Sequence, residues 1–484
     1  MLNVRITLLP FDTGKSEKMS VKKSDNIKIR ELYESPEKIY PRQVYGIFAK
    51  LRILGVLLLL GCYYITPWLT WNSQQAVLFD LPARQFRYFA ITFWPQDFIY
   101  LTLLLIIAAV GLFLFTTIAG RLWCGYACPQ TVWTETFLWI EQLVEGNRNK
   151  RIKLDKSPWN LNKITRKSLK QFLWISFALF TGYTFVGYFS PIKELGSGLI
   201  NLNLGSWEWF WIGLYSLATY GNAGWLREQV CLHMCPYARF QSSMFDKDTL
   251  IISYDKDRGE SRGKRKKNSD YQSKGLGDCI DCHQCVDVCP TGIDIRDGLQ
   301  YECIACAACI DVCDNIMDKM GYQQGLIKYT TEVEEQSKGK IKTKLLRLRT
   351  IYYTSIFVAV VVAFFYSISN RIPLDINVIR DRNNLFVETF SGDIENTYQL
   401  RILNMSQKEQ SYRLTIAGFD TMTLEGNDQF SIESGEILTL PIRVRVPQEL
   451  LKKRSNDIHF YIESESGEHD KASSTGKFLG PKLQ

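Results

Sequence analysis

The sequence predicts an α-helical membrane protein of about five transmembrane helices with a cysteine-dense insert and a C-terminal β-sandwich. Three observations predict it: five charge-free apolar windows, an eight-cysteine block between the fourth and fifth, and a tail of short alternating strands. At 484 residues the chain exceeds one ordinary core, so two to four modules are expected.

The windows are 53–71, 98–120, 171–192, 209–226 and 350–370. A helix rises about 1.5 Å per residue, so roughly 20 residues cross a hydrocarbon core of ~30 Å. Buried core helices are the competing reading, which five windows divided by charged loops disfavour. Lys and Arg number 11 in residues 1–52, 2 in 72–97, 10 in 121–170, 1 in 191–208, 20 in 227–349 and 14 in 371–484. Basic loops stay inside, whereas long translocated domains escape that rule. The pattern places the N-terminus and the cysteine block in the cytoplasm and the tail, whose basic residues are offset by 17 acidic ones, across the membrane in a multi-pass membrane protein. The net charge of +8 is therefore mostly a topology signal, and no nucleic-acid partner is expected. The basic run 258–267 (RGESRGKRKK) suits anionic lipid headgroups. No cleavable signal peptide is expected, because the first 50 residues are polar and basic and the first window is long enough to remain as an anchor.

The chain divides into a flexible lead-in (1–45), a four-helix membrane region (46–240), linkers around a cysteine-rich domain (241–349, core 278–320), a fifth span (350–370) and the tail (371–484). In the membrane region each of two helical hairpins ends in a related string, Arg121-x2-Cys124-x3-Cys128-Pro129 and Arg227-x3-Cys231-x3-Cys235-Pro236. Residues 131–144 have apolar positions at helical spacing opposite Glu135, Glu141 and Glu145, the pattern of an interfacial amphipathic helix. In the tail, 385–390, 398–404, 411–416, 429–432, 437–446 and 458–463 alternate apolar and polar residues, as sandwich strands do.

Twelve of thirteen cysteines fall on the predicted cytoplasmic side or its membrane edge, where a reducing environment favours metal ligation over disulfides. The block reads Cys279-x2-Cys282-x2-Cys285-x3-Cys289-Pro290 and Cys303-x2-Cys306-x2-Cys309-x3-Cys313. Three thiolates two residues apart wrap a four-iron cubane, and the fourth ligand crosses from the other motif. Cys279, Cys282, Cys285 and Cys313 should hold one 4Fe–4S cluster, and Cys303, Cys306, Cys309 and Cys289 the other, in a bacterial-ferredoxin-type α+β domain. Structural zinc would instead take pairs set well apart. Cys313 departs from the pattern, with Asp314 where a proline is usual.

On a helix, residues i and i+4 share a face, so Cys124/Cys128 and Cys231/Cys235 could each chelate a soft ion, with Met234 nearby and the following proline ending the helix. Packed thiols, a redox dithiol, and cysteines that position the ferredoxin block are the alternatives. Cys62 reads as a small hydrophobe and His283 as a modulator of its cluster. His233 is a candidate extra ligand, and His459 and His469 look incidental.

The strings GRLWCGYACPQTVW (120–133), CLHMCPYARFQSSMFD (231–246), LIISYDKDRGESRG (250–263) and the block 277–314 resemble the CcoG/FixG (RdxA) family of cytochrome c oxidase accessory proteins over nearly the whole chain. The resemblance implies a cytoplasmic-membrane cupric reductase that supplies Cu(I) for the cbb3-type haem–copper oxidase. It also implies copper handling at Cys124, Cys128, Cys231 and Cys235, and an immunoglobulin-like periplasmic tail. Expected partners are copper ions, membrane lipid, an unidentified electron donor, and the oxidase or its copper-assembly factors; a homodimer is left open. A quinol-oxidising membrane polyferredoxin feeding a separate reductase, or a non-catalytic assembly scaffold, are the alternatives.

Overall fold

Apolar helices, a cysteine block and a strand-rich tail all follow from the residue patterns. The computed structural model describes residues 38–481, except 268, 272, 338–339, 341–343, 345, 382–383, 407, 452 and 466–470. Most of the expected lead-in, and His469, lie outside the described residues. One compact unit runs from Tyr40 to the C-terminus.

Three described helices are long and apolar enough to cross a membrane: Ile47–Trp68 with its closing 3₁₀ turn, Pro95–Ala119 with its opening one, and Leu348–Ser369. Their side chains are largely exposed, as a lipid-facing surface requires. The first α-helix, Ile47–Ile65, starts six residues before the expected window. Arg52, which closed that window, sends its guanidinium to the carbonyl of Cys306, so its charge is not lodged in hydrocarbon. The third expected window lies in a helix, Leu161–Val186, that begins in basic sequence. The fourth becomes an α-helix, Ser206–Thr219, continued by π-helix Tyr220–Leu226. By length and composition these two are not among the membrane-crossing candidates.

Helix Pro129–Glu145 departs from the expected amphipathic pattern. Its apolar face is buried through Val132 and Phe137, but Glu141 and Glu145 are also buried, at 0% and 1% exposure. Glu141 faces Arg227 at 2.5 Å and Arg151 at 3.8 Å, while Glu145 faces Lys167 at 2.9 Å and Lys170 at 3.1 Å. Buried charges need such partners. The helix is packed inside the protein by residues remote in sequence, so its acidic stripe is no solvent face.

The tail is a sandwich. One sheet has the order Thr423–Glu425, Ile437–Pro447, Asp393–Asn404, Leu374–Arg380, with Val387–Glu388 also on Asp393–Asn404. The other runs Gln429–Ile432, Gln410–Ala417, Ser455–Ser464, Lys471–Leu479. The ladders among the described residues of both sheets are antiparallel, and Tyr398, Leu400, Ile402, Tyr412, Phe460 and Phe478 fill the core between the sheets. Strands Leu374–Arg380, Thr423–Glu425 and Lys471–Leu479 add to the six expected. The sandwich adjoins the last span at a tied corner: Arg371 pairs with Asp97 at 2.5 Å, and Trp94, Leu403 and Met405 form a small buried cluster. The cysteine block adjoins the other end of these helices, where the Asp311 carboxylate accepts from the amides of Phe48 and Ala49.

Candidate electron-transfer site

The two cysteine motifs fold into matching loops. Asp281 and His283 in the first, and Ala305 and Ala307 in the second, all have φ between 51° and 58°. Non-glycine residues reach this left-handed region at a cost of about 1–2 kcal/mol. Its recurrence at the same two positions of each Cys-x2-Cys-x2-Cys loop turns successive cysteines around one centre. Helices Gln284–Asp287 and Ala308–Met320 follow the loops, and antiparallel strands Ile251–Tyr254 and Ile327–Thr330 close the domain.

One cavity is lined by Cys279, Cys282, Cys285 and Cys313, with His283 and Arg296 at its wall. The second is lined by Cys289, Cys303, Cys306 and Cys309, with Cys285 on its edge and apolar walls from Ile252, Ile293, Ile295 and Ile304. Each set takes three cysteines from one motif and the fourth from the other. Among the described residues no three His, Cys, Asp or Glu side chains converge closely enough for a single ion. Burial pushes the Cys285 and Cys303 thiols up to about 12, so as thiolates they need positive charge between them. The all-sulfur donor sets and apolar walls fit iron–sulfur clusters.

Around the first cavity, buried Arg296 binds Asp294 at 2.6 Å and Asp281 at 2.7 Å and meets His283 Nδ1 at 2.9 Å. Cys282 and His283 are exposed, so this cavity has an edge on the solvent. The Asp314 carboxylate accepts the Gly325 amide at 2.9 Å and steadies the chain after Cys313 without the usual proline.

The paired cysteines are not helical i, i+4 partners. Cys124 lies in the short helix Leu122–Tyr126, whereas Cys128 is extended and precedes the next helix. Cys231 lies in π-helix Val230–Met234, and Cys235 is likewise extended. Pro129 and Pro236 open the following helices instead of ending the preceding ones, which suits a residue whose φ is preset and whose missing N–H would be unsatisfied there anyway. The structure brings the two pairs into one neighbourhood, although no three of the four thiols converge closely enough to hold a single ion. Cys124 feels the charge of Cys128, Cys231 and Cys235, and Cys231 that of Cys128 and Cys235. Burial first and these neighbours second push Cys124 up to about 12 and Cys231 up to about 11. The Cys124 thiol donates to Gln241 Oε1 at 3.3 Å. Met234, His233 and Cys62 are exposed, whereas the four thiols are half-buried.

The four-thiol site abuts the second cavity. A β-carbon on Gly125 would sit 2.8 Å from Cys306 Cα and 2.8 Å from the Ile304 carbonyl oxygen. Buried Arg121 donates to the carbonyls of Tyr301, Cys303 and Ala238, and its charge offsets part of the upward push of burial on Cys124, Cys231 and Cys303. Arg227, its counterpart in the second string, instead binds Glu141 and the Gly224 carbonyl. Sequence reading noted both arginines as a repeat and missed that each is an anchor; their burial was the hidden signal.

A membrane-anchored ferredoxin with a sandwich domain at the far end of its helices is the class that this fold and these cysteines define. Models described as a 4Fe-4S dicluster domain, a 4Fe-4S binding domain and the IG-like fold at the C-terminus of FixG match residues 226–332, 101–151 and 364–481. Nitrogen fixation protein FixG of Rhizobium meliloti is 37% identical over 460 residues, covering 86% of this chain and 88% of that protein. Proteins RdxB and RdxA of Cereibacter sphaeroides are 40% identical over 440 residues (88% of this chain, 90% of the relative) and 41% over 400 (80% and 84%). A crystal structure of a FixG-related protein from Vibrio parahaemolyticus aligns with 22% of this chain and 95% of its own, at 29% identity and a TM-score of 0.21. The chain belongs to the FixG/RdxA family, and it is an iron–sulfur electron-transfer protein with membrane helices.

Proposed function

We propose that this protein is a membrane-bound relay that reduces Cu(II) to Cu(I) at Cys124, Cys128, Cys231 and Cys235 and supplies the reduced ion for assembly of a cbb3-type haem–copper oxidase. The observation that carries the reading is the close approach of the Cys124–Tyr126 segment to the Ile304–Cys306 loop. Cys279, Cys282, Cys285 and Cys313 would hold one 4Fe–4S cluster, and Cys303, Cys306, Cys309 and Cys289 the other. When bound, such clusters store and release single electrons. The exposed Cys282–His283 edge offers the entry point for a soluble donor, and Arg121 holds the second loop against the thiol site. Copper is the substrate: Cu(II) accepts one electron and leaves as Cu(I), the state that soft thiolates prefer.

The sidedness follows from the basic loops. Three or five crossings give the same answer, because the 161–226 hairpin returns to the side where it began. The iron–sulfur block and N-terminus are then cytoplasmic and the sandwich periplasmic.

The test is anaerobic addition of Cu(II) to protein with reduced clusters. Cluster reoxidation matched by Cu(I) formation supports the reading. Clusters that stay reduced refute it, and reduction by quinol without oxidation by copper identifies a polyferredoxin that feeds another reductase.

A further inference from the structure

Away from the thiol sites, a cavity of about 260 Å³ opens between the chain leading into the first span and the start of helix Arg148–Lys156. Arg42, Arg148 and Arg151 line it, with the amides of Gln43, Gln142 and Asn147, and no carboxylate lies among the lining residues. Arg151 is 1% exposed, and its Nε and Nη1 have no hydrogen-bond partner among the described residues. Its Nη2 donates to the Pro41 carbonyl at 2.6 Å, and the nearest carboxylate oxygen recorded for it, on Glu141, lies 3.8 Å from Nη1, beyond hydrogen-bond reach. Arg151 thus has an ion-pair partner, yet two of its buried N–H donors lack an acceptor, which is unfavourable unless something accepts from them.

The helix itself points the same way. Its first turn holds Arg148, Lys150 and Arg151 and no acidic residue, so three cations crowd the positive end of the helix dipole. An anion there would accept from the two unsatisfied donors of Arg151 and relieve the crowding at once. We propose that this cavity is a binding site for a phosphate group, either free phosphate or the headgroup of an anionic phospholipid at the membrane edge. The carboxylates packed around it are Asp287, 3.0 Å from Arg148, Glu141, shared between Arg227 and Arg151, and Glu145, paired with Lys167 and Lys170. Asp287 lies between Cys285 and Cys289, so an occupied site would brace the iron–sulfur block against the membrane region. The proposal is independent of the copper reading.

Full-length protein in phosphatidylcholine nanodiscs tests it by thermal unfolding. The probes are inorganic phosphate, phosphatidylglycerol replacing part of the lipid, and sodium chloride at matched ionic strength. A rise in midpoint with phosphate identifies the free ion, and a rise only with phosphatidylglycerol identifies the headgroup. Either rise should weaken about tenfold in apparent affinity in R148Q and in R42Q, at unchanged iron content. Arg42 is exposed, so R42Q keeps the test open if R148Q misfolds. No rise with either probe, an equal rise with chloride, or an equal rise in R42Q overturns the site.

Discussion

Gly125 and Cys306 touch through their backbones, so closely that even a methyl group on Gly125 would collide with the Cys306 amide nitrogen, 2.9 Å away. Both neighbours are main chain, with no flexible side chain to yield.

Gly125→Ala is therefore expected to cost about 1–3 kcal/mol by overpacking, since the loop or the helix must shift. Thermal unfolding should fall by several degrees, and Cu(II)-driven reoxidation of reduced clusters should slow more than binding of copper weakens. A variant with wild-type midpoint and wild-type reoxidation rate would show that the two segments do not meet.

Cys124→Ser with Cys231→Ser removes one thiol from each string. Iron content should stay at the wild-type value while bound copper drops, read by metal analysis of the same sample. Unchanged copper stoichiometry would take these cysteines out of the reaction.

Glu141→Gln leaves Arg227 and Arg151 buried without their carboxylate. Breaking a buried pair from one side costs roughly 3–5 kcal/mol. The double variant E141Q/R227Q should be less destabilised than the sum of the single changes, and strict additivity in the unfolding free energies would dissolve the coupling.

Iron removal should act on one region only. Stripping iron with a chelator leaves the buried thiols around both cavities without the charge that holds them, so proteolysis should open residues 251–330 first. The sandwich, whose core is closed by Tyr398, Phe460 and Phe478, should remain resistant. Simultaneous loss of both would contradict this.

What could be read from sequence was local chemistry. The cluster motifs announce themselves because three ligands of each site sit within seven residues, and the alternating tail strands because a sandwich strand shows one face to its core. Strand Leu374–Arg380 went unread beside the last span, and Lys471–Leu479 because KASSTGKFL has few apolar residues to alternate. The rest depended on partners far along the chain. Glu141 and Glu145 looked like a wet face until Arg227, Lys167 and Lys170 arrived from elsewhere. Arg52 looked like the end of a span, although its long side chain simply reaches a carbonyl outside it. The meeting of Cys124 and Cys128 with Cys231 and Cys235 is likewise tertiary, and each pair read alone suggested a helical chelate that the backbone does not form.

The ion pair between Arg371 and Asp97 ties the root of the sandwich to the start of a different membrane helix. A domain hung on a single span could swivel and search for its partners. Fastened at two helices, its root has fewer directions in which to turn than a single tether would leave it.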